Sequence, residues 1–249
     1  MRVLLVGETW IHHGVHIKGV DSFVQSGYGE GIQWIKAALE KGGHRFDHLP
    51  SHLAIDRFPD LEQLSSYDVL IISDVGSNTL LLPTETMVHS KTAPNRLETI
   101  KRYVFEGGGF AMIGGYMTFM GIDGRARYKG TPVEEVLPVL LHSGDDRVET
   151  PQGIVPTVVD ASHPVVSGLE KEWPHVLGYN RVTPKEDARL LVALPNGDPL
   201  VVVGQAGRGR SMAFTTDCAP HWAPPEFLEW PGYAQFWDQA IRWLGAEKA

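Results

Sequence analysis

The sequence predicts an α/β protein with an open, mostly parallel sheet, helices on both faces and a β-rich insertion in the second half. Three observations predict it. Short apolar runs stopped by glycine or polar residues recur through the first half. Segments of helical period lie between them. Strand–helix–strand units of this length join parallel neighbours through right-handed crossovers. The 249 residues fit one domain, with the insertion at about residues 121–185.

The elements follow in order. Residues 2–6 form an apolar run stopped by Gly7, which is a buried strand. Residues 29–41 place Ile32, Ile35 and Leu39 on one face, and Gly42 and Gly43 end this amphipathic helix. Residues 44–49 read as a second strand and 59–65 as a short helix. The run 69–73, inside YDVLIISD, is the next buried strand. Residues 95–106 set Leu97, Ile100, Val104 and Phe105 on one side of a helix; Gly107, Gly108 and Gly109 break it before a strand at 110–113. From Gly121 to about Trp173 glycine, proline and charge are scattered, with one short helix near 132–137. Short apolar strands follow at 190–194, 200–203 and 211–215, and PNGD at 195–198 is a hairpin signal. Residues 232–244 close the chain as a helix with Phe236, Trp237, Ala240, Ile241 and Leu244 at helical spacing.

Composition narrows the partners. Lys and Arg number 22 against 30 Asp and Glu, a net charge of −8, so neither nucleic acid nor a membrane is an expected partner. One cysteine allows no internal disulfide. The chain opens straight into a strand without a basic and apolar leader, and no apolar run is long enough to span a bilayer. A cytoplasmic location is expected, with self-association into a homo-oligomer as the default.

In open α/β sheets ligands bind beyond the carboxyl ends of the strands. Glu8, Trp10, His12, His13 and His16 follow the first strand, and Asp74, Ser77 and Asn78 follow YDVLIIS. Tyr116 and Met117 follow GGGFAMIGG, and Asp217, Cys218, His221 and Trp222 follow SMAFTT. Four such loops predict one pocket. GGGFAMIGGYM has the shape of a nucleophile elbow: a glycine lead, an apolar strand, two glycines and a tip residue, here Tyr116 or Met117.

Longer stretches carry a resemblance. They include GYGEGIQWIKAALEKGGH, PNRLETIKRYVFEGGGFAMIGGYMTFMGIDGRARYKGTPVEEVLPV and GRGRSMAFTTDCAPHWAPPEFLEWPGYAQFWDQAIRWL. The sequence resembles the class I glutamine amidotransferase-like superfamily. More closely it is similar to a branch of uncharacterised cytoplasmic proteins known as putative glutamine amidotransferases, related to trehalose-utilisation-type proteins. The resemblance implies a flavodoxin-like sheet. In that superfamily working amidotransferases carry cysteine on the elbow and a His-Pro-Glu pair after a late strand. Here the elbow reads Gly114-Gly115-Tyr116-Met117, and Thr216-Asp217-Cys218 stands at the late-strand position. Glutamine hydrolysis by the thiolate route is therefore not expected.

The reading is a pocket for a small polar metabolite; the trehalose-utilisation relation suggests a sugar derivative. His12, His16, Asp74, Tyr116, Asp217 and His221 are the candidate acid–base groups. His12, His13 and His16 are candidate ligands for a divalent metal, with Glu8 and Asp21 adding carboxylate oxygen. Trp10, Asn78, Arg127 and Trp222 are candidate substrate contacts, Arg127 through a guanidinium closing over an anionic or polyhydroxylated ligand. Two alternatives stand beside this reading. One is a cysteine hydrolase using Cys218 and His221, although a lone cysteine is more often a small buried hydrophobe. The other is a non-catalytic ligand-binding module or oligomeric scaffold.

Overall fold

In the computed structural model of the chain, which describes residues 1–246, β1 (Arg2–Gly7) lies within an eight-stranded sheet. The strands β2 (Thr9–Lys18) and β3 (Asp21–Glu30) follow, then α1 (Gln33–Lys41), β4 (Arg45–Leu49), α2 (Ser51–Arg57), α3 (Leu61–Leu64) and β5 (Val69–Ser73). Next come α4 (Ser77–Leu81), α5 (Thr84–Met87), α6 (Arg96–Phe105) and β6 (Gly109–Ile113). The insertion holds α7 (Pro132–Val136), β7 (Val139–Leu141), β8 (Arg147–Ile154), β9 (Thr157–Val158), β10 (Val176–Asn180) and β11 (Val182–Pro184). The chain closes with β12 (Arg189–Ala193), β13 (Pro199–Ala206), β14 (Gly209–Phe214), α8 (Pro225–Leu228) and α9 (Pro231–Leu244).

The large sheet runs β4-β1-β5-β6-β14-β13-β12-β9. Its first five strands are parallel; β13, β12 and β9 are each antiparallel to the neighbour before them. Side chains alternate across it. Val3, Leu5, Val69 and Ile71 enter one core with α1 and α9, while Leu4, Val6, Leu70 and Ile72 enter a second core with α6. Burial on both faces is why these strands read as unbroken apolar runs. Asn95 caps α6 by accepting the N–H groups of Leu97 and Glu98, and Asp60 and Gln63 form a capping box on α3. The fold is the α/β architecture the sequence predicts.

Three segments differ from expectation. The helix predicted at 29–41 starts only at Gln33, because Gly29 and Glu30 are ladder partners of Trp10 and Thr9. Residues 9–30 are the antiparallel hairpin β2–β3, where a polar loop is expected. The scattered glycines and prolines of the insertion conceal two small antiparallel sheets, β8–β10 and β7–β11, while β9 extends the edge of the large sheet.

Candidate functional site

The strands β1, β5, β6 and β14 are consecutive neighbours in the sheet and run parallel, so their carboxyl ends open on one edge. Glu8, Asp74, Tyr116 and Asp217 emerge there side by side. With Trp10, Pro220 and His221 they line a cavity of about 240 Å³. A separate cavity of about 260 Å³ between α1 and α9, lined by Trp34, Ala38, Trp230 and Tyr233, contains none of these strand-end groups.

The local backbone is built for close approach. A Cβ on Gly7 would fall 1.8 Å from the Ser73 carbonyl oxygen, and one on Gly114 would fall 2.1 Å from that of Thr215. Glu8 and Asp74 turn sharply off their strands in the left-handed region, with φ of 54° and 48°. Such conformations cost on the order of 1 kcal/mol each and concentrate at functional sites.

Three carboxyls share this space. Glu8 is 3% exposed; its Oε2 accepts the Ser73 hydroxyl at 2.5 Å and the Cys218 thiol at 3.7 Å. Burial, then the charge of Asp74, push its carboxyl up to about 7. Asp217 is raised well above the usual carboxylate range by burial and by the neighbouring Glu8 and Asp74 charges. Asp74 is raised by burial, partly opposed by a hydrogen bond from Met117. Like charges this close cannot all ionise at neutral pH, so the cluster retains protons.

Asp74 also occupies the elbow. Its Oδ1 accepts the Met117 N–H at 2.7 Å, and the Tyr116 N–H adds a second hydrogen bond. The amides at the elbow tip thus already face a carboxylate of the same chain. The Tyr116 ring is held from several sides. Its hydroxyl donates to Glu149 Oε1 at 3.2 Å, the Arg147 guanidinium lies 4.8 Å from the ring centre, and His221 meets it edge-on at 4.5 Å. Burial lowers the His221 pKa, with Glu149 and Asp74 opposing that shift.

Asp74, Tyr116, Asp217, His221 and Trp10 therefore converge as the sequence suggests. The other candidates do not line this cavity. His12, His13 and His16 lie on the exposed hairpin. Adjacent residues of a strand face opposite ways, which separates His13 from the other two; His12 and His16 are four residues apart along β2, about 13 Å. His13 pairs with Ser26 and His16 stacks on Phe23. The expected three-histidine ligand set does not form, because an extended strand spreads residues that a compact loop would gather. Arg127 is exposed and outside the cavity, its carbonyl accepting the Ser77 hydroxyl. Asn78 is exposed on α4. Trp222 is buried behind His221, its indole N–H donating to Glu149 Oε2 at 2.9 Å.

Among the described residues one group could present three metal-ligating atoms together: Glu8, Asp217 and Cys218, within 4.8 Å of one another. Two hard oxygens and one soft sulfur without imidazole form a mixed donor set. The Cys218 thiol is fully buried, and burial with the Glu8 and Asp217 charges pushes its pKa well up. It hydrogen-bonds Glu8 and Ser73, and among the described residues none of its hydrogen bonds goes to His221. That environment opposes a thiolate nucleophile.

Residues of the insertion complete the site. Glu149 and Arg147 come from β8. Asn180, at the end of β10, accepts the Gly115 N–H at 2.9 Å and donates to the Gly115 carbonyl at 3.2 Å and to Asp146 at 2.8 Å. Asp146 in turn accepts the N–H groups of Met120 and Gly121. None of these four is singled out by local sequence; each acts across 25 or more residues.

The sequence profile of a family described as putative glutamine amidotransferase matches residues 2–246. The chain belongs to that family. It is similar to Cytoplasmic Protein STM3548 from Salmonella typhimurium, with 45% identity and a TM-score of 0.94 over 98% of this chain and 99% of that one. Cytoplasmic Protein STM1381 from Salmonella typhimurium LT2 is similar at 43% identity and the same TM-score and coverage. A putative thua-like protein from Parabacteroides merdae shares the fold, at 14% identity and a TM-score of 0.59 over 98% of this chain and 89% of that one. No curated protein matches the chain. The elbow of this chain reads Gly114-Gly115-Tyr116-Met117, without cysteine.

Proposed function

We propose that this amidotransferase-like protein uses the cavity at the strand ends to bind a small polar metabolite, with Glu8, Asp74 and Asp217 holding and exchanging protons for it. The observation that carries the reading is the meeting of three carboxyls and His221 in one cavity whose lining includes no lysine or arginine. A lining of that charge favours a neutral, hydroxyl-rich ligand such as a sugar derivative, or an amine, and disfavours an anion. Trp10 and Tyr116 supply flat faces for stacking. His221, whose uncharged form burial favours, and the Glu8–Asp217 pair are the candidate acid–base groups.

A thioester route does not suit this site. The elbow tip has a phenol, its amides are engaged by Asp74, and Cys218 is enclosed. The likeness to the two Salmonella cytoplasmic proteins supports a cytoplasmic location. The test is a thermal-shift and calorimetric screen of neutral sugars, amines and sugar acids against wild type and Asp217→Asn. Stabilisation by a neutral or amine-bearing compound, lost in Asp217→Asn, is expected. Ammonia release from glutamine, or binding indifferent to Asp217, would overturn the reading.

A further inference from the structure

We propose that the β2–β3 hairpin is the contact arm of a symmetric dimer, packing through one apolar face against the same face of a second copy of the chain. This inference goes beyond the cavity reading and does not depend on it. The arm is tied to the rest of the chain at its base, where Thr9 bonds Ser51 twice and Tyr28 meets the His52 ring. Its ten-residue strands extend about 33 Å, and a two-stranded hairpin alone in water is marginally stable. Eight of the fifteen large apolar side chains exposed among the described residues lie on these 22 residues. The five of them that share one face, Ile11, Val15, Ile17, Val24 and Tyr28, offer roughly 400 Å² of apolar surface, about half of the ~800 Å² each partner buries in a standard interface.

The two faces differ. On one, Trp10 lies over Gly29, His12 lies over Gly27 and His16 stacks on Phe23 at 4.6 Å, so the hairpin covers itself. On the other, the register sets Ile11 opposite Tyr28 and Val15 opposite Val24, with Ile17 next in line. Val15, Ile17 and Val24 are 65%, 75% and 65% exposed. A row of β-branched residues on a ribbon packs well on an identical row, and a two-fold axis pairs like with like.

Charge selects the occupant. The chain carries a net charge of −8, so two copies repel over most of their surfaces. From Thr9 to Glu30 the arm has one lysine and two acids, so like chains can approach there at low electrostatic cost. It is too poor in cations for nucleic acid or an anionic membrane. A second copy is also the one partner present wherever the chain is made.

Light scattering and sedimentation of the full chain test this. Wild type is expected at twice the 27.5 kDa chain mass, and Val15→Lys/Val24→Lys at the single-chain mass with an unchanged circular dichroism spectrum. Val15→Thr/Val24→Thr, which keeps strand propensity, is expected to weaken dimerisation by about 10-fold or more. Leu140→Lys, exposed but outside the arm, is expected to leave the dimer intact. A wild type that runs as a single chain at tens of micromolar, or an assembly of unchanged mass and affinity in both arm variants, would overturn the proposal.

Discussion

Replacing Glu8 by glutamine should flatten the pH dependence of stability. Burial and the Asp74 charge lift this carboxyl from the ordinary 4.5 to about 7 in the folded chain. A carboxyl with a raised folded pKa binds more protons folded than unfolded. Its contribution to stability is therefore fully present below pH 4.5 and is lost as pH rises through about 7. That interval corresponds to about 3 kcal/mol. Asp217 and Asp74 are raised for the same reason and act in the same direction. Glutamine keeps an oxygen to accept the Ser73 hydroxyl and carries no charge at any pH. Urea unfolding between about pH 5 and 8.5 should show wild type losing about 3 kcal/mol or more, and Glu8→Gln losing markedly less. Equal slopes in the two proteins would refute the claim that Glu8 is held protonated near neutrality.

Three other outcomes follow from the site. Asn180→Ala leaves the Gly115 N–H without its acceptor and removes one of the three hydrogen bonds to the buried Asp146, so unfolding should show a loss of about 2–4 kcal/mol; a loss below about 1 kcal/mol would contradict the elbow-clamp role. Iodoacetamide should modify Cys218 about 100-fold more slowly in the folded chain than in urea at the same pH, since the thiol is buried and its pKa raised; comparable rates would revive the cysteine-hydrolase alternative. Because the Cys218 thiol and Ser73 hydroxyl already satisfy Glu8, tag-free protein should carry substoichiometric metal; one equivalent, lost on Asp217→Asn, would make Glu8, Asp217 and Cys218 a metal centre instead.

The parts of the fold that local sequence reveals are those buried on both faces. Residues 69–72 and 110–113 are apolar throughout because each side chain enters a core, and a polar residue or glycine bounds them. The strand-end residues Asp74, Tyr116 and Asp217 were legible for the same reason, since a strand whose end is known places the next residue on the edge. The hairpin was not. Both of its faces meet solvent, so no alternation of burial marks it, and Gly14, Gly27 and Gly29 resemble loop residues. Three histidines within five residues look like a ligand cluster until the backbone is known to be extended. Glu8 appeared in sequence only as a supplementary oxygen; its weight comes from enclosure by Ser73, Asp74 and Cys218, three residues distant in the chain. Glu149 and Asn180 were invisible because nothing in the sequence around them records that the insertion folds back on the elbow.

The most direct test is a carbon-13 NMR titration of labelled Glu and Asp carboxyls, with Glu8→Gln supplying the assignment. The Glu8 resonance should titrate with a midpoint near 7, and Asp217 should still hold its proton well above the usual carboxylate range. If both titrate as ordinary surface acids near pH 4, the cavity does not store protons and the account fails.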